Sequence, residues 1–458
     1  MLKKIKKIIW PVVAVLPLVI GTIGYVKSGE SFSNSLYGAV SLYGMNLTSD
    51  AYNICIEIAR WTAPLVIATA ILKVIESGIK SGWDAIKYRF SLLGKSGSVA
   101  VYSDVKHNIG FKKGTGVIYP GETFKKYVLE HIIMFSSDQK NLQFFEEHKD
   151  ELLGKKVYIC LSNLECSLMK PFSNASIFDI NSAIARILWK RISLWNKAES
   201  EVNIVIRGDS ALTRAILSTG FQLNLFSCSQ RVNYHVITDN AYLRIRFSDL
   251  GLMNDDEVHF YESSDPSIWG IISEGDIVII SDIIDIEELD TIVVKAVNAE
   301  IYYYSPKDGD EGSYISYGNI IPFGRSETVY TDDNIRREAL VEKAKALNKH
   351  YATLYHSEEN WDSLSGFLKG SNISASDFGE VLLDLNDKIS EEEQAELEHI
   401  RWCRYLLLNY YRYGVPENGE NRDDVKRIHK DLVKYSDLEP SERDKDKEAI
   451  RITRNLQM

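Results

Sequence analysis

Val202-Asn203-Ile204-Val205-Ile206-Arg207-Gly208-Asp209-Ser210-Ala211-Leu212-Thr213-Arg214 reads as a strand, a tight turn with one glycine, and the start of a helix. This is the plan of the first βα unit of a nucleotide-binding fold, in which the amides of a helix N-terminus hold a phosphate. Arg207, Gly208, Ser210 and Arg214 are its candidate ligand residues. Of a GxGxxG set only Gly208 is present, and the side chains of Asp209 and Thr213 crowd the approach of backbone to phosphate. Two readings stand: an anion site assisted by Arg207 and Arg214, or a Rossmann-like scaffold used for assembly.

Outward from this unit, residues 96 to 330 alternate short apolar runs with helical stretches, the pattern of an α/β sheet covered on both faces. Strands are expected at Ser98 to Tyr102, Lys156 to Leu161, Val202 to Ile206, Asn233 to Ile237, Val258 to Tyr261, Asp276 to Ser281 and Glu300 to Tyr304. Most lack polar alternation, so both faces are buried and the pairing is parallel. Asn181 to Trp195 is a strongly patterned helix between two Rossmann-like halves, residues 91–200 and 201–333. Gly97 to Gly116 is a second strand-then-loop, with Lys106, His107, Lys112 and Lys113 in the loop. Lys112 and Lys113 are carried as candidate phosphate contacts, the alternative being a solvated turn.

Residues 334–458 become helical and densely charged. Ile335 to Tyr351 has helical spacing, serine or asparagine between Lys369 and Ala375 is placed to cap a helix from Ala375 to Leu385, and Ser390 with Glu393 forms a capping box ahead of a helix reaching about Tyr411. Glu396-Leu397-Glu398-His399-Ile400-Arg401-Trp402, then Lys426 to Leu438 (KRIHKDLVKYSDL), then Lys445-Asp446 at a helix start, with Ile450, are similar to the ryanodine-receptor repeat, the RyR domain, over residues 390 to 456. Trp361, Leu364, Lys369, Ser371, Asn372 and Ala375 resemble the segment that accompanies this repeat in bacterial proteins. His399, Arg401, Trp402, Lys426, His429 and Tyr435 are candidate ligand residues here, because aromatic faces and cations stack on a base and pair with a phosphate. The alternative is that Trp402 and Leu432 are core and the polar residues satisfy local groups. His399 and Cys403 at i,i+4 lack the two further ligands that a zinc site needs.

Towards the N-terminus, Ile8 to Tyr25 carries no charge for 18 residues, and Cys55 to Ile75 is a second apolar run, free of charge from Trp61 to Leu72. Each matches the length of a helix across a hydrocarbon core of about 30 Å, within a membrane region of residues 1–90. Lys3, Lys4, Lys6 and Lys7 before the first run, and Lys73, Lys80, Lys87 and Arg89 after the second, place both flanks in the cytoplasm. A signal peptide is the competing reading of the first run, but no small-x-small cleavage site follows cleanly. The loop Val26 to Asn53 holds Leu36, Val40 and Tyr43 at helical spacing and closes on Ser41-Leu42-Tyr43-Gly44-Met45-Asn46. A short helix followed by Tyr-Gly between two spans resembles the pore-loop plan of tetrameric potassium channels, and Ser41, Tyr43, Gly44 and Asn46 are the candidate pore residues. One Tyr-Gly pair without flanking glycines assigns no potassium selectivity. An interfacial helix lying in the headgroups is the alternative.

A net charge of −11 argues against wholesale coating of nucleic acid, and five cysteines without a CxxC pair or a zinc spacing read as free thiols. The fold expected is therefore a two-span α-helical membrane region with a re-entrant loop, a cytoplasmic α/β Rossmann-like region and a mostly helical C-terminal domain. Two spans, a Rossmann-like region and a further module resemble prokaryotic channel-like proteins carrying a TrkA-type regulatory domain. With the RyR-like repeat, the order is similar to channel-forming effectors of nucleotide-signalled antiviral defence, the Hailong system among them. That resemblance implies a homotetramer in the bacterial inner membrane, gated by a nucleotide or short oligonucleotide, with no cofactor, and a nucleotidyltransferase encoded nearby. Two other classes remain: a housekeeping potassium channel or flux regulator sensing a dinucleotide, and a membrane-anchored enzyme. For the enzyme no nucleophile–base pair or Walker lysine is placed for chemistry.

Overall fold

The computed structural model describes residues 2–48, 50, 52–71, 97–105, 107, 109–112, 115–126, 128–162, 175–197, 200–306, 320–355, 360–417 and 419–455, with backbone alone for 2–13. Lys106, Lys113, Cys166 and the flanking cations Lys73, Lys80, Lys87 and Arg89 lie outside these residues, as does the second apolar run from Leu72. The chain divides into two compact units, Met1–Gly94 and Lys95–Met458.

The first unit is a helical hairpin with a third helix folded between its arms. α1 (Leu2–Lys27) ends ahead of Gly29 at φ 96°, a left-handed position that suits glycine. α2 (Phe32–Ser41) follows, with the Ser31 hydroxyl accepting from the Asn34 amide, then a 3₁₀ turn at Leu42–Gly44. α3 (Ile54–Ile71), with a mean hydropathy of 1.6, is the one described helix long and apolar enough to cross a membrane. The apolar part of α1 with described side chains is Ala14–Lys27. Small residues let the helices close up: a Cβ on Gly21 would lie 3.0 Å from Ala39 and 3.2 Å from Ala59, one on Gly24 would meet Ile56, and one on Gly38 would meet Tyr25. α2 thus runs back along α1. The Tyr43 hydroxyl donates to the Ala14 carbonyl at 2.5 Å, so the tip of this side chain reaches about 16 Å along α1 from the level of Tyr25.

The second unit holds two parallel sheets. The first has strands β1 (Gly97–Tyr102), β2 (Thr115–Ile118), β3 (Glu130–Ile133), β4 (Lys156–Cys160) and β5 (Ala175–Phe178) in the order β2-β1-β3-β4-β5. α4 (Asp138–Glu147) and α5 (Lys149–Leu152) connect β3 to β4, and α6 (Ile180–Ile192) with α7 (Leu194–Lys197) leads to the second sheet. There β6 (Glu201–Arg207), β7 (Arg231–Ile237), β8 (Glu257–Tyr261), β9 (Ile277–Ile280), β10 (Glu300–Tyr304) and β11 (Ile320–Phe323) lie in the order β11-β10-β9-β6-β7-β8. Renumbered from β6, this is the 3-2-1-4-5-6 order of doubly wound dinucleotide-binding folds. α8 (Ala211–Leu223), α9 (Ala241–Phe247), α10 (Ile268–Glu274) and α11 (Ile286–Lys295) are its crossovers. Every pairing in the two sheets is parallel, as the unalternating Val and Ile runs require. The seven strands expected from sequence all form. β2, β5 and β11 were not expected: they are four-residue edge strands, and β11 contains Pro322, which an edge tolerates. The central β3 was hidden because it opens with the charged Glu130, paired with Arg336 at 2.8 Å.

α12 (Ser326–Val329) and α13 (Asp332–Arg336) lead to α14 (Glu338–Tyr355), α15 (Gly366–Leu385), α16 (Glu391–Leu408) and α17 (Pro440–Asn455). Several expected boundaries move. Ser193 at φ 53° ends α6 before Trp195, and Arg337 at φ 54° separates α13 from α14, so the helix expected from Ile335 is two. α15 starts at Gly366, capped by Ser365, and runs straight through Lys369 to Ser374 where a cap was expected. Packing overrides the local signal there, since a Cβ on Gly370 would lie 2.4 Å from the Tyr405 hydroxyl. The capping box at Ser390 and Glu393 forms as expected. Lys445-Asp446 lies inside α17 rather than at its start. The region is also less helical than expected, because β12 (Arg412–Tyr413), β13 (Arg422–Asp423) and β14 (Ile428–His429) make a small sheet in the order β12-β14-β13. One hydrophobic core runs from Val99 through both sheets to Ile450. The buried Arg404 of α16 ties it together, donating to the Leu252 and Phe221 carbonyls at 2.8 Å each and to Asn254 and Asp256 at 2.6 Å each.

Candidate functional site

The order of the second sheet puts its switch point between β6 and β9, outside whose carboxyl ends ligands bind in open α/β sheets. Here protein acids occupy that place. The Asp209 amide donates to the Asp282 carboxylate at 2.6 Å, and the Asp209 carboxylate accepts from the Thr238 hydroxyl and the Asp239 amide at 2.7 Å and from the Asn240 amide at 3.1 Å. Gly208 serves this closure: a Cβ there would lie 2.1 Å from the Ser281 hydroxyl and 2.6 Å from that of Thr213. Arg207 pairs with Glu288 at 3.0 Å, and Ser210 begins α8 with its hydroxyl 3.4 Å from that of Thr213. The Asp209 amide and the Asp239 and Asn240 amides of the neighbouring turn are thus filled by carboxylates. The first sheet repeats the device. Asp104, after β1, accepts from the Ser136 amide at 2.9 Å and from Lys140; hydrogen bonds from Lys140 and Ser136 lower its carboxyl to about 2. In the neighbouring loop Lys112 is exposed, 3.7 Å from Glu338, while His107 packs on the Tyr330 ring and burial lowers its pKa.

The C-terminal candidates lie mostly inside. His399 is buried with both ring nitrogens facing acceptors, Nε2 at 2.9 Å from the Val433 carbonyl and Nδ1 at 3.4 Å from Asp446. Burial opposes a charged ring, but hydrogen bonds to Asp446 and Cys403 outweigh it and push the imidazole up to about 11. His429 is its opposite: burial lowers it to about 4, and its Nδ1 accepts from the Asp431 amide at 3.1 Å. Trp402 lies against both rings, 5.6 Å from His399 and 4.9 Å from His429. Buried Arg401 donates twice to Glu398, at 2.9 and 2.6 Å, and Tyr435 donates to Glu392 at 3.1 Å. Lys426 is exposed and paired with Glu417 at 2.9 Å. Of the two readings of these residues, this geometry favours core packing over direct ligand contact, because partners from α16, α17 and the loop around Val433 already use the polar atoms of His399, Arg401 and Tyr435.

The cations that do share a cavity come from widely separated segments. A cleft of about 600 Å³ opens between α6, α8 and Ser162 on one side and α14, α15, α16 and the 3₁₀ turn Trp361–Ser363 on the other. Arg186, Arg214, Arg246, Arg337 and Lys369 line it, with Asp179, Asp362 and Asp377. The acids are largely engaged: Asp179 caps α6, and Asp377 lies 3.1 Å from Lys190 and 3.9 Å from Arg186. Arg214 donates to the Ser162 carbonyl, Arg246 to the Leu408 carbonyl and the Tyr410 hydroxyl, and Lys369 to the Asp362 carbonyl. Burial also lowers the Lys369 pKa, as an incoming negative charge would reverse. Half-buried Trp361 offers a ring face, and Gln222 and Asn409 offer amides. Behind the wall, Arg401 donates to the Ser374 hydroxyl at 3.0 Å, which donates to Gln222, so the C-terminal arginine supports the cleft without entering it. Of the candidate ligand residues named from sequence Arg214 lines this cleft, and Trp361 and Lys369 of the segment that resembles the one accompanying the repeat line it too. Arg186 and Arg246 lie on ordinary amphipathic helices, and no motif marks them.

The chain matches no family model and no curated protein. Among solved structures it is similar to Rp1789 of Rhodopseudomonas palustris (strain CGA009), with 8% identity over 68% of this chain and 87% of that one and a TM-score of 0.25. A solute-binding protein of an ABC transporter system from Aeropyrum pernix K1 covers 70% of this chain and 94% of its own, with 10% identity and a TM-score of 0.24. Both scores are below those at which two chains share a fold.

Proposed function

We propose that this chain is a ligand-gated, channel-like membrane effector of a bacterial antiviral defence system, with a cytoplasmic unit that responds to a nucleotide or short oligonucleotide. The observation that carries the reading is the return of α2 along α1, with Ala39 against Gly21 and the hydroxyl of Tyr43 in the following turn reaching the Ala14 carbonyl, since a helix lying flat on a membrane surface has no reason to pack along a span. The first unit then crosses the bacterial inner membrane twice, and four copies surround a conduction path, because a path on an axis requires several copies. The RyR-like and TrkA-like resemblances favour the same assignment. The cleft suits the ligand: it lies within the size range of small-molecule sites, it gathers guanidinium groups for phosphate, and Trp361 provides a stacking face. A ligand shifts the gate only by its difference in affinity between closed and open states, about 5.5 kcal/mol in total for near-complete switching, which four coupled sites supply with a modest difference at each. No chemistry is assigned to the chain itself.

A housekeeping potassium-flux regulator sensing a dinucleotide is the second reading, favoured by the complete 3-2-1-4-5-6 strand order. The carboxylates of Asp209 and Asp282 weigh against it. Purified full-length protein in planar bilayers is expected to carry current that changes with nucleotide. Material absorbing at 260 nm and released on denaturation is expected to have the mass of a nucleotide or oligonucleotide other than NAD. Absence of current with and without nucleotides would defeat the channel assignment, and recovery of NAD would favour the second reading.

A further inference from the structure

The cleft is charged at its two ends and neutral between them. At one end Asp179, which caps α6, accepts from the Ser182 hydroxyl at 2.6 Å, and Arg186 follows one turn along the same face. Ser162, hydrogen-bonded to Asp179, takes Arg214 on its carbonyl. Arg337 enters from the end of α13, which packs on β5 and α6. The other end is Lys369, held beside Trp361 by its bond to the Asp362 carbonyl at 3.3 Å. Along α15 from Lys369 to Asp377, ~12 Å at the helical rise, the lining is Gly370, Ile373 and Ser374. Ser374 meets Gln222 of α8, so this middle stretch offers hydroxyls and an amide and no charge.

Arg337 carries the second observation. Its φ of 54° is left-handed, a conformation uncommon outside glycine that gathers at ligand clamps where the surroundings impose it. Here Arg336, the residue before it, is bolted to Glu130 at 2.8 Å and Asp332 at 3.0 Å. The described lining of the whole cleft holds five cations against three carboxylates, and Lys190 lies 3.1 Å from one of the three, Asp377. Burial also pushes the Asp179 carboxyl up, towards its neutral form. A phosphate monoester carries a charge of about −1.5 to −2 near pH 7 and three terminal oxygens, whereas a diester inside a chain carries a single charge. Guanidinium forks supplied by α6, α8 and the α13–α14 junction suit the group with more oxygens and more charge.

We infer that the cleft reads the terminal phosphate of its ligand, a nucleotide or short chain ending in a phosphate monoester, seated at Arg186, Arg214 and Arg337 with its nucleoside directed along α15 towards Trp361. This rests on the nucleotide reading above and adds which group is recognised. Full-length protein in detergent, freed of bound nucleotide with charcoal, is titrated with mono-, di- and tetranucleotides of each base phosphorylated at the 5′ or the 3′ end, and with the same compounds after alkaline phosphatase, following the melting temperature. At least one phosphorylated compound is expected to raise it, and its dephosphorylated twin to bind about tenfold more weakly or worse, as the loss of a charge-assisted contact implies. Equal binding of the two forms overturns the inference and leaves a nucleotide cleft. No rise with any compound means that the nucleotide reading itself fails, and the inference with it. Arg337→Gly suits the left-handed backbone, so its unliganded melting temperature is expected to stay within a few degrees of the parent's while most of the preference for the phosphorylated form is lost. Full preference in that variant overturns the seat at Arg337.

Discussion

Arg404 and Asp256 meet with no solvent exposure on either side chain, and Asp256 also accepts from Gln230 at 2.9 Å and the Val232 amide at 2.7 Å. Removing one partner of such a pair strands the other. Arg404→Met is expected to cost about 3–5 kcal/mol in urea unfolding, with Arg404→Met/Asp256→Asn recovering part of it; a loss under ~1 kcal/mol would show that the pair does not hold α16 to the second sheet. His399 makes a pH prediction. Its folded value of about 11 lies above 6.5, so its stabilisation is complete below pH 6.5 and is lost as pH rises towards 11. The stability difference between parent and His399→Gln is expected to be largest near pH 6 and to shrink to the alkaline limit. Parallel pH profiles for the two proteins would mean that the ring is neutral. At this scale the sequence misleads, because histidine, arginine and tryptophan in a row look like a binding surface. What makes them interior is Asp446 and Val433, more than thirty residues away.

Elements were legible where one local rule dominates. The Val and Ile runs of β6, β7 and β9 are strands in any context, and Ser390 with Glu393 closes a capping box whose both bonds form. Ser390→Ala is expected to cost about 1 kcal/mol, read as a lowered urea midpoint with an unchanged m-value, and no change would mean that solvent replaces the cap. Elements were illegible where tertiary contact decides. α15 crosses Gly370, Ser371 and Asn372 without stopping because Tyr405, Gln222 and Arg401 hold that face. The short edge strands carry too little pattern to separate from loops, and they pair because a neighbour presents open backbone groups.

At the scale of the whole molecule, the cleft joins Ser162, α6, α8, α14, α15 and α16, segments that extend across some 250 residues of chain. Arg186→Glu with Arg214→Glu is expected to abolish the rise in melting temperature that a bound nucleotide produces, by mass action, while leaving the unliganded melting temperature within a few degrees. Retention of that rise in the double variant would move the ligand elsewhere, first to the exposed Lys112 loop. The sequence offered Gly208 as the crevice, reasonably, since a strand followed by glycine and a helix is how such crevices are written. The glycine is there to admit Ser281 and Thr213, and only the packed loops reveal that.

Composition and hydrophobic period alone determined the apolar N-terminal runs, the parallel α/β core and the capped helices of the C-terminal region, since these follow from which side chains leave water and from how often they recur along the chain. Tertiary structure alone decided where each charge is placed. Every arginine has the same charge in the sequence, but Arg404 is set against Asp256 and Arg401 against Glu398 in the interior, whereas Arg214 and Arg246 line a cavity. An ion pair depends on distance in three dimensions, and distance along the chain carries no record of it.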